Sequence, residues 1–292
     1  MSGAESSIEK TTRAADEALG KTEEALEEVA THPWTERLAR FGYASKGAVY
    51  VTVGLLASLA AAGLGGHLTD TRGAMQTIEL QPFGKFVLVL ITAGLGAYAL
   101  WRVVQAVADA DRKGREAKGL AVRTGYLSSG LAYAGLAFSA GRILFDASGE
   151  TRGNTLREWA ALLMSLPFGH LLVGLAGLSV VGFGIYQIYK GLKAKFRKRL
   201  KLDELGERGW WAVLSGRLGY AARGVVFCVI GAYLLRAAFY FNPDEAKGLD
   251  GALQALPLQG FGKLPLAVVA VGLVAYGFFA FVEARYRRIA GS

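Results

Sequence analysis

Arg142 and Arg236 interrupt stretches of sequence otherwise almost free of charge. An ionisable group among apolar neighbours is expensive unless it has a partner, a ligand or a route to water. Such residues are therefore the first candidates for chemistry. Lys85, His170 and Lys263 stand at equivalent places near the starts of three other apolar segments. Together the five could form an outer cationic ring drawing an anion into a central vestibule; arginines that snorkel to an interface are the simpler reading. Lys46 and Arg223 make a second pair, aligned with Ser129 near the opposite ends of their segments. They could guard a mouth, though contact with lipid phosphate is the plainer expectation. A third set is aromatic: Tyr50, Tyr133 and Phe227 recur at one depth, offering either packing or an axial aromatic layer that gates a pathway or binds an apolar ligand.

Other chemistry finds little footing. His67 and His170 could in principle hold a metal or haem, but His170 aligns with Lys85 and Lys263 and reads as an interfacial cation. No metal or cofactor is expected. Phosphate-loop, zinc-protease and nucleophile-elbow patterns are missing, so an enzyme is not expected. No acidic residue lies deep in an apolar segment, since Asp146 and Glu283 sit at ends. That argues against proton coupling. The single cysteine, Cys228, rules out an internal disulfide and reads as a small apolar filler.

The elements that must position these residues are long. Of the 292 residues 52% are hydrophobic, and they gather in six runs: roughly 41–64, 83–104, 125–145, 168–189, 218–241 and 261–282. Each has about the 20 residues that carry a helix across hydrocarbon. In lipid a helix satisfies every backbone amide within its own segment. The net charge of +9 is unevenly placed. Lys and Arg crowd alternate connections, at 112–118, 190–208 and 285–288, while Arg72, Arg152, Arg157 and Lys247 are sparse between them. This positive-inside asymmetry places both termini in the cytoplasm of a plasma-membrane protein. Anionic headgroups, not nucleic acid, are the expected partners of the basic face, because no aromatic platform is interleaved with the charge. A membrane-protein partner is also compatible. The acidic leader, 1–33, reads as a flexible cytoplasmic tail without a signal peptide.

One octet explains the spacing. Arg-x-Gly-Tyr-x-x-x-Gly occurs at Arg40–Gly47, Arg123–Gly130 and Arg217–Gly224. The match aligns Tyr43 with Tyr126 and Tyr220, Gly47 with Gly130 and Gly224, and Tyr50 with Tyr133 and Phe227. From each tyrosine the aromatic and small positions follow one helical face. Small residues there admit a neighbouring backbone, which is how helices associate in lipid. Each octet is expected to begin a helix, with its arginine snorkelling to phosphate. A short amphipathic helix is then expected before a Phe-Gly or Pro-Phe-Gly entry to the returning helix, as at Phe83-Gly84, Phe168-Gly169 and Phe261-Gly262. Returning helices share Tyr98, Phe183 and Tyr276, then Trp101, Tyr186 and Phe279.

These motifs resemble the bacterial family of three-repeat, six-span integral membrane proteins catalogued as domain of unknown function 1206. The resemblance covers roughly Trp34 to Arg288 and implies fold and membrane location without an activity. The expected architecture is all-α: six transmembrane helices as three tandem helix–amphipathic segment–helix repeats, pseudo-threefold, over 34–111, 112–200 and 201–292. A non-enzymatic scaffold or accessory protein is the leading functional expectation. A small-molecule or ion transporter using the axis is the alternative, and a sealed or an open axis separates the two.

Overall fold

The computed structural model describes residue 28 and residues 32–111, 114, 116–145, 155–258 and 263–288. Most of the acidic leader, Asp146 and the Phe261-Gly262 entry lie outside the described residues. The described helices are α1 (Pro33–Ala62), α2 (Thr71–Glu79), α3 (Gly84–Val107), α4 (Ala117–Phe145), α5 (Thr155–Met164), α6 (Gly169–Leu192), α7 (Gly209–Phe239), α8 (Leu249–Ala255) and α9 (Leu264–Tyr286). The only β pairing among the described residues is one bridge between Leu200 and Arg287.

Five helices, α1, α3, α6, α7 and α9, are long and apolar enough to cross a bilayer, the mark of a multi-pass membrane protein. The 29-residue α4 has the length but is not among them. It carries Lys118, Arg123 and Arg142 together with the hydroxyls of Thr124, Ser128, Ser129 and Ser139. Its apolar character is diluted on two faces at once.

Helix ends follow local chemistry. Pro33 occupies the first turn of α1 and His32 caps it, the Trp34 N–H donating to Nδ1 at 3.4 Å. The helix thus starts about two turns before Arg40, and α4 and α7 likewise start before Arg123 and Arg217. The octets therefore lie inside their helices instead of opening them, and for α1 the capped, proline-led start extends the helix past the apolar run. The short α2, α5 and α8 occupy the connections where amphipathic helices were expected. Asp70 caps α2 through the Gly73 N–H at 2.8 Å. The Phe-Gly entry has a steric cause. Phe83 and Phe168 take φ of 61° and 59°, turning the chain sharply into α3 and α6. A Cβ on the next residue would lie 2.0 Å from Ile78 O at Gly84 and 2.0 Å from Leu163 O at Gly169, so only glycine fits.

The long helices neighbour one another in the order α4–α3–α1–α9–α7–α6. The pairs α3/α4, α6/α7 and α9/α1 each join the second helix of one repeat to the first helix of another. Within repeats, α1 packs on α3 and α7 on α9, while α4 and α6 make no comparable contact. The difference is visible at one aligned glycine. A Cβ at Gly42 would meet Tyr98 at 2.6 Å and one at Gly219 would meet Tyr276 at 2.5 Å, yet Gly125 has nothing within 4 Å. The middle repeat is parted between its own two helices.

Candidate functional site

Three seams between repeats are built from the same aligned positions. At α1/α9, a Cβ on Gly47 would lie 2.8 Å from Gly277 O, and one on Gly277 would lie 2.7 Å from Gly47 O. At α6/α7 the reciprocal pair is Gly224 with Gly184, at 2.6 and 2.7 Å. At α3/α4, Gly130 faces Ala99 O at 3.2 Å, looser because alanine replaces the second glycine. Cys228 fills space beside Gly184, as a small apolar residue would.

One turn on, aromatic rings interlock across the same seams. Tyr50 meets Tyr276 edge to face at 4.8 Å, Tyr133 meets Tyr98 at 4.6 Å, and Phe227 meets Phe183 at 5.1 Å. The layer anticipated from Tyr50, Tyr133 and Phe227 is thus three cross-seam pairs. Its third member is partly open, because Phe183 is 45% exposed beside the parted middle repeat.

The octet arginines act on helix ends. Arg40 donates to the carbonyls of Ala284, at 2.8 Å, and Arg285 at the end of α9. Arg123 donates to Ala106 O at 2.7 Å and Val107 O at 3.0 Å at the end of α3. These are aligned positions, and a guanidinium there satisfies carbonyls that the helix leaves unpaired. The snorkelling to lipid phosphate expected for Arg40 and Arg123 is replaced by this capping. Arg217 is the exception. The end of α6 already has the Lys193 N–H on Tyr189 O and the Ala194 N–H on Gly191 O, both at 3.0 Å.

Enclosed by the seams, toward the end bearing Arg40 and Arg287, lies a knot of cations and tyrosines. Lys46 is 3% exposed, its Nζ 3.5 Å from Tyr98 Oη and 4.8 to 5.8 Å from the ring centres of Tyr276, Tyr98, Tyr43 and Tyr133. Lipid phosphate cannot reach it, so the headgroup contact expected for Lys46 is overturned. Arg223 donates to Tyr276 Oη at 2.5 Å and lies over the rings of Tyr50 and Phe227 at 5.4 and 5.1 Å. Arg102 donates to Tyr98 Oη at 2.9 Å, and Lys190 to Tyr220 Oη at 2.8 Å. Tyr126 donates to Asp111 at 2.6 Å and accepts from Arg199 at 3.0 Å. Glu283, buried, pairs with buried Arg287 at 2.9 Å and lies within electrostatic reach of Lys46, Lys190 and Arg102. Arg287 also stacks over Tyr43 at 4.9 Å.

The knot is sealed: Tyr43 and Tyr98 are fully buried and Tyr276 is 1% exposed. It is also electrically lopsided. Among the described residues, Lys46, Arg102, Lys190, Arg199, Arg223 and Arg287 gather about two carboxylates, Glu283 and Asp111. Among the described residues, Tyr43 Oη, Arg223 Nε and Arg287 Nη2 have no protein hydrogen-bond partner. Cation–π contact and neutral hydroxyls soften a buried positive charge but do not cancel it. The arrangement is suited to receiving an anion.

The outer set is arranged otherwise. Arg236 pairs with Glu245 at 3.2 Å, His170 lies 4.6 Å from the Phe241 ring, and Lys263 approaches Gly63. Lys85 is exposed and Arg142 half-buried. None of these contacts joins one member of the anticipated cationic ring to another.

Arg102 escaped the sequence reading, Lys190 and Arg287 were counted only with the basic connections, and Glu283 was set aside as terminal. A usable signal existed. From the shared aromatic, steps of four and seven residues read Tyr98-Arg102-Gln105, Phe183-Gln187-Lys190 and Tyr276-Ala280-Glu283. One face of each returning helix is thus marked, and Gln105, Gln187 and Glu283 are all buried.

The repeats seen in space coincide with a recurrent family signature. The family model described as Domain of Unknown Function (DUF1206) matches over residues 41–109, 124–194 and 218–287. The chain is also similar to "Uncharacterized protein YxxB" of Bacillus subtilis (strain 168), with 36% identity over 261 residues, 89% of this chain and 94% of that protein. No solved structure matches significantly. Three consecutive matches, each beginning one residue after an octet arginine, show that the chain belongs to the family Domain of Unknown Function (DUF1206).

Proposed function

We propose that this protein is a non-enzymatic, six-span protein of the bacterial inner membrane that takes up a small anion at the central cation–tyrosine knot. Both termini face the cytoplasm, where the basic end meets anionic headgroups. The three repeats pair through like seams, pseudo-threefold in pattern and open between α4 and α6, with α4 as the sixth span. The support for that pattern is the recurrence of the same aligned residues at each seam. The carrying observation for the anion is the surplus of cations over carboxylates in the knot, where Lys46 and Arg287 are buried and Arg102, Lys190 and Arg223 half-buried. A charge held in hydrocarbon without a counter-charge is costly, and an anion bound there would balance it. The sealed tyrosines would then part to admit it, as in a gated carrier.

A second reading, a scaffold for lipid or a membrane partner, is favoured by that same seal and by the parted, outward-facing middle repeat. Vesicles reconstituted with the purified protein separate the two. Under the first reading, uptake of chloride, phosphate or acetate exceeds that of empty vesicles, and Lys46→Gln or Arg223→Gln abolishes the excess. Arg142→Gln and Arg236→Gln leave it intact, since they lie outside the knot. Uptake of all three anions no faster than in empty vesicles sinks the transport reading and leaves the scaffold.

A further inference from the structure

A cavity of about 450 Å³ lies at the basic end, lined by Arg197, Gly206, Gly209, Trp210, Val213, Leu214 and Arg217. Its position follows from the exception among the octet arginines. Arg40 and Arg123 are consumed in capping the helices they face across their seams. The end of α6 closes instead through its own backbone, at Lys193 and Ala194, where the chain turns with a φ of 46° at Ala194. That turn carries the basic linker Lys195–Arg199 back beneath α7. It is anchored there by Phe196, 2% exposed, against Tyr220 and Phe279 at 5.4 and 4.8 Å. The consequence is that Arg217, freed from capping, and Arg197, from the linker, share one concavity.

The walls differ in kind. Two guanidiniums supply paired donors matched to phosphate oxygens. Val213 and Leu214 continue up α7 as an apolar wall, and Trp210, 56% exposed and stacked on Trp211 at 4.1 Å, stands at the rim. Tryptophan at such a place marks the headgroup level of a bilayer. We infer that this cavity is a binding site for an anionic phospholipid, with the phosphate between Arg197 and Arg217 and an acyl chain along Val213 and Leu214. The site is separate from the central knot, and its lipid is a structural or regulatory ligand rather than the transported anion. A free phosphate would satisfy the guanidiniums but leave the apolar wall unused.

The test is native mass spectrometry of the whole protein released from detergent, titrated with phosphatidylglycerol, phosphatidylcholine or inorganic phosphate. One phosphatidylglycerol is expected to bind well ahead of the rest. Arg197→Ala with Arg217→Ala is expected to weaken that first binding about ten- to a hundredfold, the loss of two charge-assisted contacts. Lys193→Ala with Lys198→Ala removes equal charge from the same linker outside the cavity and is expected to leave it unchanged. An unchanged far-ultraviolet spectrum and elution volume establish that both variants fold. Equal weakening by the two double variants would reduce the site to diffuse charge and overturn the proposal. Equal binding of phosphatidylcholine would overturn it, and displacement of the first lipid by equimolar inorganic phosphate would reassign the site to the free ion.

Discussion

Gly224→Ala puts the seam between α6 and α7 to a direct test. The added Cβ would lie 2.6 Å from Gly184 O, 2.6 Å from Ile188 Cγ1 and 2.9 Å from Ile188 N. Two of these are backbone atoms, so no change of rotamer relieves them. Ordinary contact begins at 3.4 Å, and 3.4 − 2.6 leaves 0.8 Å by which the helices must separate. A gap of that size forfeits roughly a quarter to a half of each dispersion contact along the seam. The expected cost is about 1–3 kcal/mol, the range for an overpacked core. Two sister substitutions calibrate it. Gly130→Ala meets Ala99 O at 3.2 Å and Arg102 Cβ at 3.3 Å, so a few tenths of an ångström suffice. The expected cost there is under about 1 kcal/mol. Gly182→Ala meets nothing within 4 Å and is expected to be neutral or slightly stabilising. Unfolding of the detergent-solubilised protein by sodium dodecyl sulfate, followed by circular dichroism, reads the three midpoints. If Gly224→Ala and Gly182→Ala unfold together, backbone approach does not hold this seam and the steric reasoning fails.

Three further outcomes are expected. Arg40→Gln exposes the last carbonyls of α9 at a cost of about 0.5–1 kcal/mol, so amide exchange around residues 284–288 quickens, whereas Arg217→Gln leaves the end of α6 unchanged. Phe83→Gly relieves a positive φ of 61° at a residue 85% exposed and stabilises the protein by about 1 kcal/mol, read as a higher unfolding midpoint, while Gly84→Ala, with its Cβ 2.0 Å from Ile78 O, prevents folded protein from accumulating. Glu283→Gln strands Arg287, whose side chain is 4% exposed, and costs about 3–5 kcal/mol, with Glu283→Gln/Arg287→Gln recovering much of the loss in the same titration.

The repeats were readable because their signature is steric. A glycine that must touch a backbone tolerates few replacements, so Gly47 and Gly224 kept their spacing, and Gly130 kept it even where its partner became Ala99. The same pattern could not say which helix each glycine would touch. Tyr43 and Tyr50 lie on one helix, yet Tyr43 meets Tyr98 of its own repeat and Tyr50 meets Tyr276 of another. That division depends on crossing geometry, which composition does not carry. Lys46 was misdirected for a related reason. A lysine near the end of an apolar run normally reaches water, but four surrounding tyrosines, one from its own helix and three from elsewhere in the chain, turned it inward. Helix starts were missed because Pro33 lies in polar sequence, where hydropathy has nothing to report.

The pairing of α1 with α9 sets the order in which this chain can mature. As helices leave the insertion machinery, α4 finds α3 already present, and α7 finds α6. For α1 the seam partner, α9, comes later in the chain. The glycine face of α1 waits, Gly47 and Gly54 bare to lipid, until α9 is synthesised and brings Gly277 and Val274 against it. Closure of this seam therefore waits for α9, and a chain stopped short of residue 264 is left with an unsealed flank that quality-control proteases can recognise.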